Sequence, residues 1–291
     1  LTDGGVRTAS SNPRKFLYFS LFSKPVSAII FDAGHSQEQK GKPMINFPIT
    51  TLLGLLSIGF AGMAMAEPTE VTVHVIAEDA KFVGDHMGGA SITLRDAKTG
   101  KILAQGLTKG GTGDTKRIME SGGRSPLRAT PDAAFFTSII DIREPTLVTL
   151  EAEGPVGHPG STLHVMSERW IMPGHPVTTG DGWTIELPGL AISLSTSVAG
   201  RTVAITSKIE PMCGCPITPG GIWDAADYKV EASAWQNGRQ IALAPLNFVK
   251  APGGFAGDIT IPESGKYKIV IFAHNEKTGN SGLTEAVVEV P

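Results

Sequence analysis

The sequence predicts an all-β protein made of two tandem β-sandwiches behind a cleaved signal peptide. Three observations carry that reading. Short runs of β-branched and apolar residues recur along the chain, separated by Gly, Pro, Asn and Asp, with 35 Gly and 20 Pro in 291 residues. Several of those runs alternate apolar and polar side chains with period two, the pattern of a half-buried strand. No stretch carries the 3.6-residue apolar period of an amphipathic helix.

The export signal lies in residues 44–66. An apolar run over 49–60, broken by Gly54 and Gly59, ends in Ala64-Met65-Ala66 and is followed by polar Glu67-Pro68-Thr69. So short an apolar core with a small-x-small site directly after it reads as a signal peptide cut after Ala66, not as a membrane span. Residues 1–43 show no sustained hydrophobic period, and Met44 follows a charged stretch containing Lys40 and Lys42. They are expected to be an over-extended, disordered N-terminus with Met44 as the start. The mature chain is then periplasmic or secreted. It is also net acidic, because residues 1–66 hold more Lys and Arg than Asp and Glu. That balance argues against nucleic acid or an anionic membrane as partner. No later apolar run is long enough to span a bilayer.

The mature strands follow in order. Val71, Val73 and Val75 alternate with Thr72 and His74, and comparable runs occupy 91–95, 102–107, 134–140 and 146–151. Further runs lie at 183–187, 203–209, 228–235, 241–248, 256–261, 267–273 and 284–290. Asn237-Gly238 between two runs predicts a type I′ hairpin, since both residues tolerate positive φ. Many short strands with turn residues between them form sandwiches. The seam is expected near Pro188-Gly189, giving a first sandwich over 67–187 and a second, Ig-like one over 188–291. Residues 109–133 lapse into Gly-, Ser- and Pro-rich sequence with Lys109, Lys116, Arg117, Arg124 and Arg128. So long a basic loop is either a mobile solvated insertion or a surface for a partner.

Within the first unit, Gly89-Ala90-Ser91-Ile92-Thr93-Leu94-Arg95-Asp96 followed by Thr99-Gly100 resembles the carboxypeptidase regulatory-like group of small β-sandwiches. The resemblance covers 71–108 and implies a sandwich fold with a non-catalytic accessory role.

The chemistry concentrates in Pro211-Met212-Cys213-Gly214-Cys215-Pro216, which holds both cysteines of the chain. Three readings stay open. An oxidising compartment favours a Cys213–Cys215 disulfide. In an extended segment the two Cα atoms would stand roughly 6.6 Å apart, near the limit for a bridge, although Gly214 lets the chain fold more tightly. Such a bridge closes a tiny ring and removes little unfolded-state entropy. A second reading is thiol–disulfide exchange, without the helix N-terminus that lowers a thiol pKa in the usual oxidoreductases. A third is a copper site: two thiolates and the Met212 thioether suit Cu(I), with His164, Met166 and His175 as further ligand candidates. His86-Met87, His158 and His274 carry the same donor types. Trp223-Asp224 is expected to cap the core beneath the loop and close a turn.

There is no Gly-x-Ser-x-Gly, His-Glu-x-x-His, dinucleotide fingerprint or Cys-x-x-Cys, so the reading leans away from catalysis. The function expected is an exported binding or scaffold protein presenting loops to a protein or surface partner. Copper handling and thiol–disulfide exchange are its alternatives.

Overall fold

A computed structural model describes residues 67–123 and 126–291. The residues expected to form an over-extended N-terminus (1–43) and a signal peptide (44–66), and Arg124, lie outside these residues. Among the described residues fifteen strands carry the fold. β1 (Glu67–Ala77), β2 (Ser91–Asp96), β3 (Ile102–Leu107), β4 (Phe136–Ile142), β5 (Thr146–Gly154), β6 (Leu163–Ile171) and β7 (Trp183–Leu187) come from the first half. β8 (Leu190–Ala199), β9 (Thr202–Pro211), β10 (Tyr228–Gln236), β11 (Arg239–Pro245), β12 (Asn247–Phe248), β13 (Gly254–Thr260), β14 (Gly265–Asn275) and β15 (Ser281–Val290) complete the second. The chain is all-β, and its sheets are those of Ig-like sandwiches.

In the first half a three-stranded sheet, ordered β4-β1-β7, faces a four-stranded sheet ordered β3-β2-β5-β6. β1 runs antiparallel to β4 and parallel to β7. Val71, Val73 and Val75 turn inward from β1 and are fully buried with Ile92, Leu94, Val148 and Leu150 from the opposite sheet. The second half pairs β11-β10-β14-β15 with β12-β13-β9-β8. Here Val230, Ala232 and Ala234 of β10 meet Val203, Ile205 and Ile209 of β9 in the core. The β10–β11 connection is the hairpin the sequence predicts: Asn237 has φ +50° and Gly238 φ +75°, with Gln236 opposite Arg239. Both central residues in the left-handed region match the twist of the flanking strands.

Two strands escape the sequence reading. β8 is rich in Ser, so its alternation of Leu190, Ile192 and Leu194 with small residues carries little β-branched signal. β6 is an edge strand whose outward residues include His164, Met166 and Trp170, and only its His164/Met166 alternation marks it beforehand.

Among the described residues no sheet crosses from one half to the other, yet one buried apolar cluster runs through both. Polar contacts stitch the junction. Asn280, 4% exposed, accepts from Gly189 N at 2.8 Å and donates to the carbonyls of Gly189 and Glu78 at 3.3 Å. Ile192 N donates to Ser161 Oγ across the same junction. Among the described residues no helix is long and apolar enough to cross a membrane.

The described parts of the 109–133 segment, 109–123 and 126–133, fold back onto the first sandwich. The segment begins and ends in bridges, Lys109 with Phe135 and Gly111 with Ala133. A one-turn helix, α1 (Thr115–Met119), starts at Asp114, whose carboxylate accepts from Arg117 N at 2.7 Å. Ile118 of α1 packs with Ile76, Phe82 and Ala133 in a small second core. Asp181 accepts from Arg128 N and Ala129 N, tying down the far side. Composition suggested a loop free to move because the anchors are single apolar and carboxylate residues set among many Gly and Ser.

Candidate functional site

β9 ends at Pro211 because the chain turns there: Gly214 N donates back to Pro211 O at 2.7 Å. Gly214 sits at φ +74°, a left-handed conformation costly for any residue with a Cβ. The turn draws the Cα atoms of Cys213 and Cys215 to 5.5 Å, and their sulfurs are bonded. Both cysteines are buried, 0% and 3% exposed.

The loop forms the floor of a cleft of about 600 Å³. Its walls come from both halves. The first half supplies Lys81, His86, Thr112 and Thr115; the second supplies Thr218, Ile222 and Trp223. Lys81 Nζ is held over the cleft by bonds to Thr115 Oγ1 at 3.0 Å and Gly113 O at 3.3 Å. His86-Met87 forms a short 3-10 turn that leans onto the cysteine loop. A Cβ placed on Gly214 would stand 2.5 Å from His86 Cδ2 and 2.6 Å from Met87 Sδ. Gly214 therefore permits both the turn and the close approach of these two side chains. Trp223, 9% exposed, packs beside the loop and donates from Nε1 to Asp79 O of the first half at 2.9 Å. Asp224 closes the next turn. Its carboxylate accepts from Ala226 N and Gly220 N, which hold its pKa below the usual carboxylate range.

The residues singled out by sequence fall in different places. Cys213 and Cys215 line the cleft, but Met212 does not face it: its Cε lies against Gly189 at the junction of the halves. His164 sits opposite Glu153 on the outer face of the β2-β5-β6 sheet. There it lines a polar recess of about 180 Å³ with the Arg95–Glu151 ion pair. Met166 is 60% exposed on that strand, and His175 is exposed in the turn after it. None of these three lines the cleft. In their stead the fold brings His86 to the cleft wall, with Met87 buried against Gly214 outside the lining. The signal was present in the Gly84-Asp85-His86-Met87-Gly88-Gly89 stretch, a soft-donor pair in a Gly-rich turn like that around Gly214, but nothing local links two segments so far apart in sequence. Among the described residues no three His, Cys, Asp or Glu side chains gather as a metal cluster. With the sulfurs joined, the loop offers no thiolate for a metal to bind.

A larger recess, about 670 Å³, lies on β8, β9 and β13. Small and apolar residues line it, and its one charged residue, Lys208, is paired with Glu210 at 2.7 Å. The smaller cleft is the better candidate because the chain's sulfur chemistry and two loops from the other half meet there.

No family model matches the chain, so its likeness to the carboxypeptidase regulatory-like group rests on residues 71–108 alone. No curated protein matches it either. Among solved structures it aligns with a DUF3823 family protein from Bacteroides ovatus at 10% identity, covering 77% of this chain and all of the other, with a TM-score of 0.30. The chicken interferon gamma receptor alpha chain aligns at 12% identity over 78% of this chain and all of the receptor chain, TM-score 0.31. Both superpose poorly, and the fold rests on the strand pairings themselves.

Proposed function

We propose that this chain is an exported binding protein that engages its partner at the cleft over the Cys213–Cys215 loop. One observation carries the reading. Loops from both sandwiches converge there, the cysteine loop and the Ile222–Trp223 turn from one, the His86 turn and the 109–133 segment from the other. The 109–133 segment thus contributes Thr112 and Thr115 to a defined wall. Ile222 is 61% exposed at the rim, the kind of apolar side chain that a docking partner buries.

The test is site-specific photo-crosslinking in the producing cell. A photoreactive residue at position 222 is expected to give a discrete adduct. The same residue at position 198, where Val198 is 37% exposed away from the cleft, is expected to give none. Equal labelling at both positions, or none at 222, would sink the reading.

A further inference from the structure

The outer face of the β11-β10-β14-β15 sheet is not an ordinary solvated face. Alternation along the strands puts Glu231, Ser233 and Trp235 of β10 on it, together with Lys268, Val270 and Phe272 of β14. The register sets Ser233 beside Val270, with Trp235 beside Lys268 on one side of that pair and Glu231 beside Phe272 on the other. The middle pair is small and its neighbours are large. Leu243 of β11 stands opposite Ser233, and Glu285 of β15 opposite Val270, so the middle pair is walled at its sides as well. The outcome is a recess of about 390 Å³ whose floor, Ser233 and Val270, is only 9% and 8% exposed although it belongs to an outer face. Small-ligand sites have volumes of this order.

Trp235 gives the recess its character. Its Nε1 donates to Ser233 Oγ at 2.8 Å, two residues back on the same face. That bond holds the indole along the strand, and the ring stays half-buried. Phe272, 38% exposed, supplies a second ring on the next strand, four residues along from the partner of Trp235. At about 3.3 Å per residue the two positions are roughly 13 Å apart along the strand direction. Glu231 and Gln240 add an exposed carboxylate and an exposed amide to the lining. Lys268 and Glu285 pair at 2.9 Å, so their charges offset each other.

We infer that this recess binds a neutral glycan. A sugar ring has an apolar face of C–H groups and a rim of hydroxyls that both donate and accept. The C–H face matches an aromatic ring, whose π face is negative. The rim matches a carboxylate, which accepts, and an amide, which does both. A purely apolar ligand would cover those polar groups without pairing them. A polyanion would meet two carboxylates and one ammonium that is already paired. Two rings so far apart suit a chain of sugars better than a single one. The recess shares no residue with the cleft over the cysteine loop, so the two sites stand or fall separately.

The test is affinity electrophoresis of the exported protein in native gels cast with dextran, laminarin, xylan or galactomannan. At least one of the four is expected to retard it. Trp235→Ala is expected to raise the dissociation constant, read from a concentration series, at least tenfold. Trp235→Phe, which keeps a ring, should recover most of that loss. Glu231→Gln, which keeps an acceptor, should weaken binding less than Trp235→Ala does. Trp170→Ala, at a 68% exposed tryptophan on β6, should change nothing. Retardation by none of the four, retardation that Trp235→Ala leaves intact, or an equal loss in Trp170→Ala would each overturn the inference. Retardation by cationic chitosan alone would overturn it by assigning binding to the carboxylates. A dimer that dissociates in Trp235→Ala would overturn it by assigning the face to a second copy of the chain.

Discussion

Asn280 offers the sharpest test of how the two sandwiches are joined. Its side chain makes three bonds, two of them fully buried: the 2.8 Å bond from Gly189 N to Oδ1 and the bond from Nδ2 to Gly189 O. The third reaches Glu78 O in the other half at 3.3 Å. Asn280→Ala removes all three and strands the Gly189 N–H away from water. A buried polar group left without a partner costs about 1–3 kcal/mol, and a partly buried bond about 0.5–1 kcal/mol. The expected loss is therefore about 3 kcal/mol. For a chain of this size that is a fall of roughly 6–12 °C in Tm. Urea unfolding of the mature chain, residues 67–291, reads it directly: the midpoint falls while the slope m holds. Asn247→Ala, at an exposed position on β12, serves as control and should stay within about 0.5 kcal/mol of wild type. A loss below about 0.5 kcal/mol at Asn280 would refute the claim that this side chain staples the seam. A lowered m, or a split transition, would mean that the halves unfold separately.

Three further outcomes are expected. Gly214→Ala should destabilise by about 2 kcal/mol in the same urea assay, because φ +74° costs an L-residue about 1–2 kcal/mol and the new Cβ displaces Met87; wild-type stability would contradict the geometry. His74 is buried between Phe82 and Phe135, with Nδ1 bonded to Ala134 O at 2.8 Å, and burial lowers its pKa despite that bond and the nearby Asp181. The unfolded chain then takes up a proton that the folded one refuses. The stability from His74 is full above its ordinary value of 6.5, falls as pH drops through that value, and stops falling below the folded pKa. Urea midpoints at about pH 7.5 and about pH 5.5 should therefore differ less in His74→Asn than in wild type. Finally, the exported protein should begin at Glu67 by intact mass, and Ala66→Arg should leave the unprocessed form; a different N-terminus removes the cleavage reading.

The strands were legible wherever the sequence alternates strong β-formers with polar residues, as at Val71-Val73-Val75 and along Tyr228–Gln236. They faded at β8, where Ser occupies alternate positions, and at β6, where large exposed side chains blur inside and outside. The cysteine turn was legible too, because Pro211, Gly214 and Pro216 dictate backbone behaviour on their own. What packs against that turn was not. Met87 lies more than a hundred residues before Gly214, and its only announcement is its chemical type, which His164, Met166 and His175 share. Local rules fix local shape; a site assembled across a seam depends on which faces the two sandwiches bury against each other.

That dependence bears on why the cleft exists. Elsewhere the junction is well filled: Met212 packs on Gly189, Trp223 is pinned to Asp79, and Asn280 finds partners for all the groups it faces. A seam shaped for stability alone would close over the cysteine loop in the same way, with apolar side chains at core density. Instead it leaves an opening of about 600 Å³ with a lysine and a histidine on its wall and a left-handed glycine at its floor. Polar walls and a glycine without a side chain forgo packing that plain apolar contacts would supply, which is what the proposed docking cleft calls for at this point of the seam.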